Sequence, residues 1–232
     1  MDIQLHYTES GSGFPLILLH GNGEDSSYFV HQIEAFRRSF RVIAIDTRGH
    51  GKSPRGTGEF SIARFAEDLR AFMDAHSIRR AHLLGFSDGA NIALAFALKY
   101  PERVDRLILN GGNLHPWGVK LSVQLPIVLG WGIAKAISLF DKKAVAKAEL
   151  LGLMVTQPNL RPEDLKDMKI PTLVIAGTAD MIRTSHTKAI HRAIPGSELA
   201  ILPGDHFVAH ENPISFNMKA IDFLMRDGVK YE

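Results

Sequence analysis

The stretch Gly85-Phe86-Ser87-Asp88-Gly89 constrains the fold more than any other feature, because it is the only G-x-S-x-G pattern in the sequence. The apolar run 81–84 before it predicts a buried strand, and the run 90–98 after it is rich in helix formers. A serine on such a strand-to-helix turn projects its hydroxyl above the sheet, near the N–H groups of the helix start. The pattern predicts a nucleophilic Ser87; a glycine-rich turn with an ordinary serine is the alternative.

Strand and helix patterns alternate along most of the chain, which requires parallel strand pairing with right-handed crossovers. Apolar runs predict strands over 15–19, 41–45, 81–84, 104–109, 172–176 and 198–202. Apolar spacing predicts helices over 26–38, 61–76, 90–98 and 185–194. Asn212 and Pro213 should open a last helix as its cap and first residue. Residues 3–8 are expected to form an antiparallel hairpin with the strand that follows them.

Length and composition indicate a single enzyme-sized domain. With 232 residues, 45% of them hydrophobic, the chain can bury a large core. Its 27 basic and 25 acidic residues are nearly balanced and form no basic patch, so we expect no nucleic-acid partner. The absence of cysteine excludes disulfides, thiolate catalysis and cysteine-based metal sites, and no metal or cofactor is predicted. No apolar leader is visible near the N-terminus, so the expected location is cytoplasmic.

The longest apolar region, 119–140, is about as long as a membrane span. Two lysines, a glutamine and a proline interrupt it, so we do not expect it to cross a membrane. We predict instead a cap over an apolar pocket, with Trp117, Leu125 and Trp131 as walls. Helices with an ordinary apolar inner face are the alternative, and peripheral contact of the cap with lipid stays open.

Three further polar residues follow predicted strands, namely Asn22, Asp180 and His206. The carboxyl ends of parallel strands meet at one edge of a sheet, where active sites form. His206 would accept the proton of Ser87, and Asp180 would orient the imidazole and stabilise its cation. The backbone N–H groups of Asp88 and Asn22 would receive the oxyanion.

These assignments have competitors. Asp180 could instead cap the helix that follows it. Asp205 is a rival for the acid, but it adjoins the proposed base and is expected to shape a turn. His210 is a rival base outside the strand-end loop, and His20 is expected to brace the oxyanion loop. Asn110 ends a strand, but its amide would not stabilise a cationic imidazole as a carboxylate does.

Together these residues resemble the α/β-hydrolase superfamily over essentially the whole chain. The matching stretches are 20–23, 46–53, 85–89, 99–104, 171–180 and 204–207. The resemblance implies the α/β-hydrolase fold, a mostly parallel sheet flanked by helices. Its core would comprise 1–112 and 170–232, and 113–169 would form a short helical cap. The resemblance also gives three residues a loop-shaping role: Arg48, His50 and Ser53.

The superfamily contains esterases, lipases, C–C bond hydrolases, aminopeptidases, dehalogenases and cofactor-free perhydrolases. A serine at the elbow disfavours dehalogenases, which use aspartate there. Ser87-Asp88-Gly89 resembles the elbow of valacyclovirase-like (biphenyl-hydrolase-like) esterases, in which the acid helps to bind a substrate amine. An acid in a first helical turn is also favoured by the helix dipole whatever the substrate, so both roles of Asp88 stay open.

The sequence therefore predicts a cofactor-free serine hydrolase of small, apolar carboxylic esters. Aminoacyl-ester, amide or C–C bond hydrolysis and perhydrolysis are alternatives on the same three residues. A receptor-like ligand-binding protein with slow turnover is the alternative that is not an enzyme. The oligomeric state is not indicated.

Overall fold

The computed structural model describes residues 2–226, whose centre is a seven-stranded sheet. Its strands are β1 (Tyr7–Ser10), β2 (Pro15–Leu19), β3 (Arg41–Ile45), β4 (Ala81–Phe86), β5 (Val104–Asn110), β6 (Thr172–Gly177) and β7 (Glu198–Leu202). Their order is β1-β3-β2-β4-β5-β6-β7, and every neighbouring pair is parallel except β1 with β3. The predicted fold class and its six predicted parallel strands are confirmed. Residues 227–232, which the predicted core included, lie outside the described residues.

The predicted hairpin between β1 and the next strand is wrong. Tyr7 lies opposite Ile45, and Ser10 opposite Val42, so β1 pairs with β3. The intervening β2 is buried from its second residue onward and takes parallel partners on both sides. The two middle residues of β1 are exposed, which suits a strand at the edge of the sheet.

Helices cover both faces of the sheet. The α-helices of the described residues are α1 (Val30–Phe36), α2 (Ile62–Ala75), α3 (Asp88–Lys99), α4 (Leu121–Ser138), α5 (Lys143–Thr156), α6 (Thr184–Ala193), α7 (Val208–Glu211) and α8 (Pro213–Leu224). Successive residues of β2 alternate between two apolar layers: Ile17 and Leu19 pack with α2 and α3, whereas Leu16 and Leu18 pack with α1 and α8. This double burial explains why the central strands read as continuous apolar runs.

Helix starts agree only partly with the sequence. Ser61 caps α2 by accepting a hydrogen bond from the Arg64 N–H at 3.2 Å. Pro213 is the first residue of α8, as predicted, but the Asn212 side chain does not cap the helix and donates to the Pro203 carbonyl at 3.0 Å. The predicted helix over 26–38 begins as a 3-10 turn before α1.

The α4–α5 hairpin follows β5 and lies in the segment predicted as the cap. Gln124 of α4 is buried and donates to the Met154 carbonyl of α5 at 3.1 Å. The Asn22 side chain donates to the Leu150 carbonyl at 2.9 Å, which joins α5 to the loop after β2. Within residues 2–226, α4 alone has the length and hydropathy of a candidate membrane span, and most of its residues are exposed. The limits 113–169 stay a prediction.

The loop after β3 is held by a buried charge cluster. Arg48 is fully buried and donates to both carboxylate oxygens of Asp68, at 2.6 and 2.7 Å. It also binds Asp2 near the N-terminus. Ser53 donates from its hydroxyl to the Asp46 carbonyl at 2.6 Å, and His50 Nδ1 lies 3.0 Å from the Arg48 carbonyl oxygen. These contacts agree with the loop-shaping role expected of Arg48, His50 and Ser53.

Candidate active site

The turn between β4 and α3 holds Ser87 in a strained backbone conformation, with φ +53° and ψ −119°. A positive φ is uncommon outside glycine and persists only where the surroundings enforce it. A Cβ atom on Gly85 would collide with the Gly89 carbonyl, and one on Gly89 with the Leu19 carbonyl. The turn therefore closes only with glycine on both sides, which is the physical content of the G-x-S-x-G pattern.

Three strand ends bring Ser87, His206 and Asp180 together. His206 Nε2 lies 3.0 Å from Ser87 Oγ, and His206 Nδ1 lies 2.7 Å from Asp180 Oδ1. The same Asp180 oxygen accepts the Ile182 N–H at 2.8 Å, while α6 begins after Arg183 without a side-chain cap. In this arrangement the imidazole can take a proton from the hydroxyl while the carboxylate stabilises the resulting cation.

The rivals for acid and base make other contacts. Asp205 Oδ1 accepts the Phe207 N–H at 2.6 Å, which is a local turn contact. The His210 ring packs 6.3 Å from the Tyr28 ring and 5.3 Å from the His31 ring, measured between centroids. Both side chains therefore have a structural explanation.

His20 and Asn110 support the two loops beside Ser87. His20 Nδ1 lies 2.7 Å from the Gly21 carbonyl oxygen, and His20 Nε2 accepts the Thr47 N–H at 3.0 Å. Burial lowers the pKa of His20 to about 4, so its ring is neutral and braces the loop after β2, in which the oxyanion hole is predicted. Asn110 contributes its backbone carbonyl, which accepts the Ser87 N–H at 2.8 Å. Among the described residues, no cluster of three or more His, Cys, Asp or Glu could hold a metal ion.

Asp88 is nearly buried at the start of α3 and faces two amides. Its Oδ2 accepts the Asn22 Nδ2 hydrogen at 2.9 Å, and its Oδ1 accepts that of Asn91 at 3.1 Å. Burial raises the pKa of the Asp88 carboxyl, and the two amide donors act against that rise. Within residues 2–226, the backbone N–H groups of Asn22 and Asp88 donate to no protein acceptor. Both N–H groups can therefore donate a hydrogen bond to a bound ligand.

Gly111 is a site residue that the sequence did not single out. It follows β5 with φ +63°, and a Cβ at this position would lie 2.8 Å from His206 Cε1 and 3.0 Å from Nδ1. The His206 ring thus packs directly on a backbone that only glycine can provide. The only signal for Gly111 in the sequence is a glycine directly after a predicted strand. That signal does not show that the His206 ring packs against this glycine.

Aromatic side chains also pack around the His206 ring. Phe86 lies 4.9 Å from the His206 ring, and Tyr28 stacks on Phe86 at 4.4 Å. Phe207 joins them at 5.6 Å from Phe86. No spacing in the sequence connects these residues, because they come from three distant segments.

Glu24 is a second unpredicted group near the site. Its Oε2 accepts the Gly21 N–H at 3.2 Å, beside the expected oxyanion loop. Burial raises the pKa of Glu24 to about 7, and the hydrogen bond from the Gly21 N–H and the charge interaction with His206 oppose the rise. Its charge therefore changes near neutral pH.

The three predicted pocket walls lie in the segment predicted as the cap and differ in exposure. Trp117 and Leu125 are 56% and 57% exposed, which places much of each side chain on the outer surface. Trp131 is half-buried and faces α5, where a Cβ on Gly152 would lie 3.3 Å from its indole nitrogen. Their role as pocket walls remains a prediction.

Comparison with known proteins places this geometry in a family. Residues 15–134 match the family described as the alpha/beta hydrolase fold. The chain is also 30% identical over 240 residues to a putative carbamate hydrolase RutD of Caulobacter sp. strain K31, covering 90% of each protein. The chain belongs to the α/β-hydrolase family. The superfamily resemblance seen in the sequence is thereby confirmed.

Solved structures of other α/β hydrolases superpose on nearly the whole chain. A thermophilic esterase from Thermogutta terrifontis is 25% identical with a TM-score of 0.78, covering 96% of this chain and 93% of that one. A meta-cleavage product hydrolase from Pseudomonas fluorescens IP01 is 25% identical with a TM-score of 0.79, covering 96% and 94%. These similar proteins are named for different substrates, namely a carbamate, an ester and a meta-cleavage product. The similarity therefore supports a hydrolase and does not identify the bond that this chain cleaves.

Proposed function

We propose that this α/β hydrolase is a cytoplasmic serine esterase of small, apolar carboxylic esters. The observation that carries the proposal is the position of His206, with one ring nitrogen on Ser87 and the other on Asp180. A hydroxyl, an imidazole and a buried carboxylate in this order activate the hydroxyl for acyl transfer. The likeness to a thermophilic esterase agrees with this class of substrate.

In the proposed first half-reaction, Ser87 Oγ attacks the ester carbonyl carbon and its proton passes to His206 Nε2. The carbonyl oxygen takes the electron pair and becomes an oxyanion, which the backbone N–H groups of Asn22 and Asp88 would receive. Collapse of this intermediate expels the alcohol, which takes the proton from His206. The acyl group stays on Ser87 as an ester, while Asp180 stabilises the transient imidazolium.

In the second half-reaction, water attacks the acyl carbon and gives its proton to His206. Collapse breaks the bond to Ser87 Oγ, which recovers the proton, and the carboxylic acid leaves. His206 is only 4% exposed, and Phe86 packs 4.9 Å from its ring, so the imidazole is largely withdrawn from bulk water. Water exclusion strengthens the electrostatic contacts of the site.

The apolar cap supports an apolar substrate. The α4–α5 hairpin reaches the oxyanion loop through the hydrogen bond from Asn22 to the Leu150 carbonyl. A substrate at Ser87 would therefore meet a segment rich in leucine, isoleucine and tryptophan, with Trp131 on the α5 side of α4 as the proposed contact. Trp117 and Leu125 are more than half exposed on the outer surface, and we do not propose them as substrate contacts. Asp88 is proposed to hold Asn22 rather than a substrate amine, because two amide donors already occupy its carboxylate.

The test is a panel of p-nitrophenyl esters of increasing acyl length, with Ser87→Ala as the blank. We expect turnover that rises from acetate to butyrate, because longer acyl chains bury more apolar surface. Binding of esters without turnover above the blank would favour a receptor-like protein instead.

C–C bond hydrolysis is the second candidate, and the likeness to the meta-cleavage product hydrolase favours it. The same serine, histidine and aspartate would serve this reaction. A meta-cleavage product belongs in the same panel, with Ser87→Ala again as the blank. Cleavage of that compound at a kcat/KM well above that of every ester would replace the ester proposal by this one.

A further inference from the structure

The cap exposes a continuous apolar stripe on its outer side. Six residues spaced three or four apart along α4 and just beyond it form this cap stripe, and each is 48–92% exposed: Leu121, Leu125, Leu129, Ile133, Ile137 and Phe140. Side chains four apart form one ridge on a helix surface. Single exposed apolar residues are ordinary, whereas a contiguous apolar patch marks an interaction surface.

The opposite side of α4 is fixed to the protein. Gln124 and Ala134 are buried, and the Gln124 side chain donates to the Met154 carbonyl. The Trp131 indole packs against Gly152 of α5. Crossing a bilayer would break these contacts and would place Gln124 and Lys135 in hydrocarbon, which is costly. The stripe therefore suits a helix lying on an apolar surface rather than across a membrane.

The charge of the same segment is one-sided. Residues 117–148 contain one acidic residue, Asp141, and five lysines: Lys120, Lys135, Lys142, Lys143 and Lys147. None of these lysines forms a salt bridge with a carboxylate of the described residues. The whole chain has a net charge of only +2, so the remainder of the protein is slightly acidic. Positive charge is concentrated where the apolar side chains are exposed.

Both tryptophans of the chain also lie in this segment. Trp117 is 56% exposed just before α4, and the Lys135 ammonium lies 4.8 Å from the Trp131 ring centroid. Tryptophan is favoured at the boundary between headgroups and acyl chains, where lysines extend their charge into the polar layer. An apolar face beside lysines is the composition of helices that bind in the plane of a membrane surface.

We propose that the cap stripe docks this protein on the surface of a bilayer that contains anionic phospholipids, with α4 parallel to the membrane plane. A second copy of the chain is a poorer occupant, because a symmetric contact would bring two lysine-rich segments together. The proposal does not depend on the bond that the enzyme cleaves. Docking would place the oxyanion loop, which contacts α5, close to a source of apolar esters.

Flotation with vesicles of phosphatidylcholine, alone or with about a third phosphatidylglycerol, tests the contribution of the apolar cap stripe to membrane binding. We expect binding to the anionic vesicles, and a decrease of at least about tenfold in Leu129→Glu/Phe140→Glu. The matched control is Ile214→Glu/Met218→Glu on α8, where both residues are more than two-thirds exposed and far from the stripe in sequence. The control should bind like the wild type. Equal binding by both double variants, or none by the wild type, would overturn the proposal.

The contribution of the lysines to membrane binding is tested separately. Replacing Lys142, Lys143 and Lys147 by glutamine should weaken binding at low salt by at least about tenfold and remove most of its salt dependence. Three exposed lysines elsewhere provide the control with the same change of charge: Lys52, Lys166 and Lys188. Sedimentation velocity completes the test. A dimer that Leu129→Glu/Phe140→Glu dissociates, without vesicle binding by the wild type, would assign the stripe to a second copy and refute lipid docking.

Discussion

Gly111→Ala should reduce activity by displacing the His206 ring. The new Cβ would lie 2.8 Å from Cε1, whereas ordinary contacts begin at 3.4 Å, so the ring must move by about 0.6 Å. Hydrogen bonds of 2.7 and 3.0 Å hold the two ring nitrogens, and such a shift misaligns both. Because a misplacement of about 1 Å can cost roughly 100-fold, we expect kcat to fall by about 10- to 100-fold.

The same substitution also strains the backbone, and a second glycine separates the two effects. Gly111 has φ +63° and Gly196 has φ +69°, but a Cβ on Gly196 would have no neighbour within 4 Å. Each alanine variant should lose about 1–2 kcal/mol of unfolding free energy, since a left-handed conformation disfavours a side chain. Only Gly111→Ala should lose activity.

Two measurements separate backbone strain from displacement of the His206 ring. Urea unfolding gives the stability, and kcat on a p-nitrophenyl ester, normalised to the fraction of folded protein, gives the activity. A Gly111→Ala enzyme with wild-type kcat and the stability loss of Gly196→Ala would refute the reasoning. It would show that the position of the His206 ring does not limit turnover.

Four further substitutions test the site. Asp180→Asn should lower kcat by about 10⁴-fold, because the ring loses its orienting carboxylate, whereas Asp205→Asn should keep most activity; the reverse result in ester assays would reassign the acid. Asp88→Asn should lower the unfolding free energy by about 1–3 kcal/mol, because an amide donor loses its acceptor. The ratio of kcat/KM for a free aminoacyl ester to that for its N-acetyl counterpart should not change, and loss of a strong preference for the free amine would contradict this role. Glu24→Gln tests the raised pKa: the folded value of about 7 exceeds the usual 4.5, so the wild type should lose stability as pH rises between them. The difference in melting temperature between Glu24→Gln and the wild type should therefore be more favourable to the variant at pH 8 than at pH 5. A difference that does not change with pH would contradict a raised pKa of Glu24.

The sequence predicted the parallel sheet well, because burial on both faces leaves a recognisable apolar run. The strands Arg41–Ile45 and Glu198–Leu202 have the predicted limits, and the elbow strand extends two residues beyond its prediction. The pairing of β1 was not predictable in the same way. Its register depends on β3 entering between two strands that are neighbours in sequence, and local pattern carries no information on that insertion.

The site was predictable to the extent that polar residues at strand ends converge on one edge of the sheet. Ser87, Asp180 and His206 follow three such ends, and the fold brings them into hydrogen-bond contact. Gly111 and Glu24 were not identified, because their importance lies in a close approach and in burial. Both depend on the packing of segments far apart in sequence.

Labelling with a fluorophosphonate probe, followed by peptide mapping, tests the central claim most directly. We expect a single modified residue, Ser87, because its hydroxyl lies 3.0 Å from an imidazole nitrogen and the proposed oxyanion donors, Asn22 and Asp88, would stabilise the adduct. Ser87→Ala should take no label and should lose on the order of 10⁶-fold in kcat, with little change in stability. Labelling at another residue, or retained turnover in a verified Ser87→Ala preparation, would contradict the account.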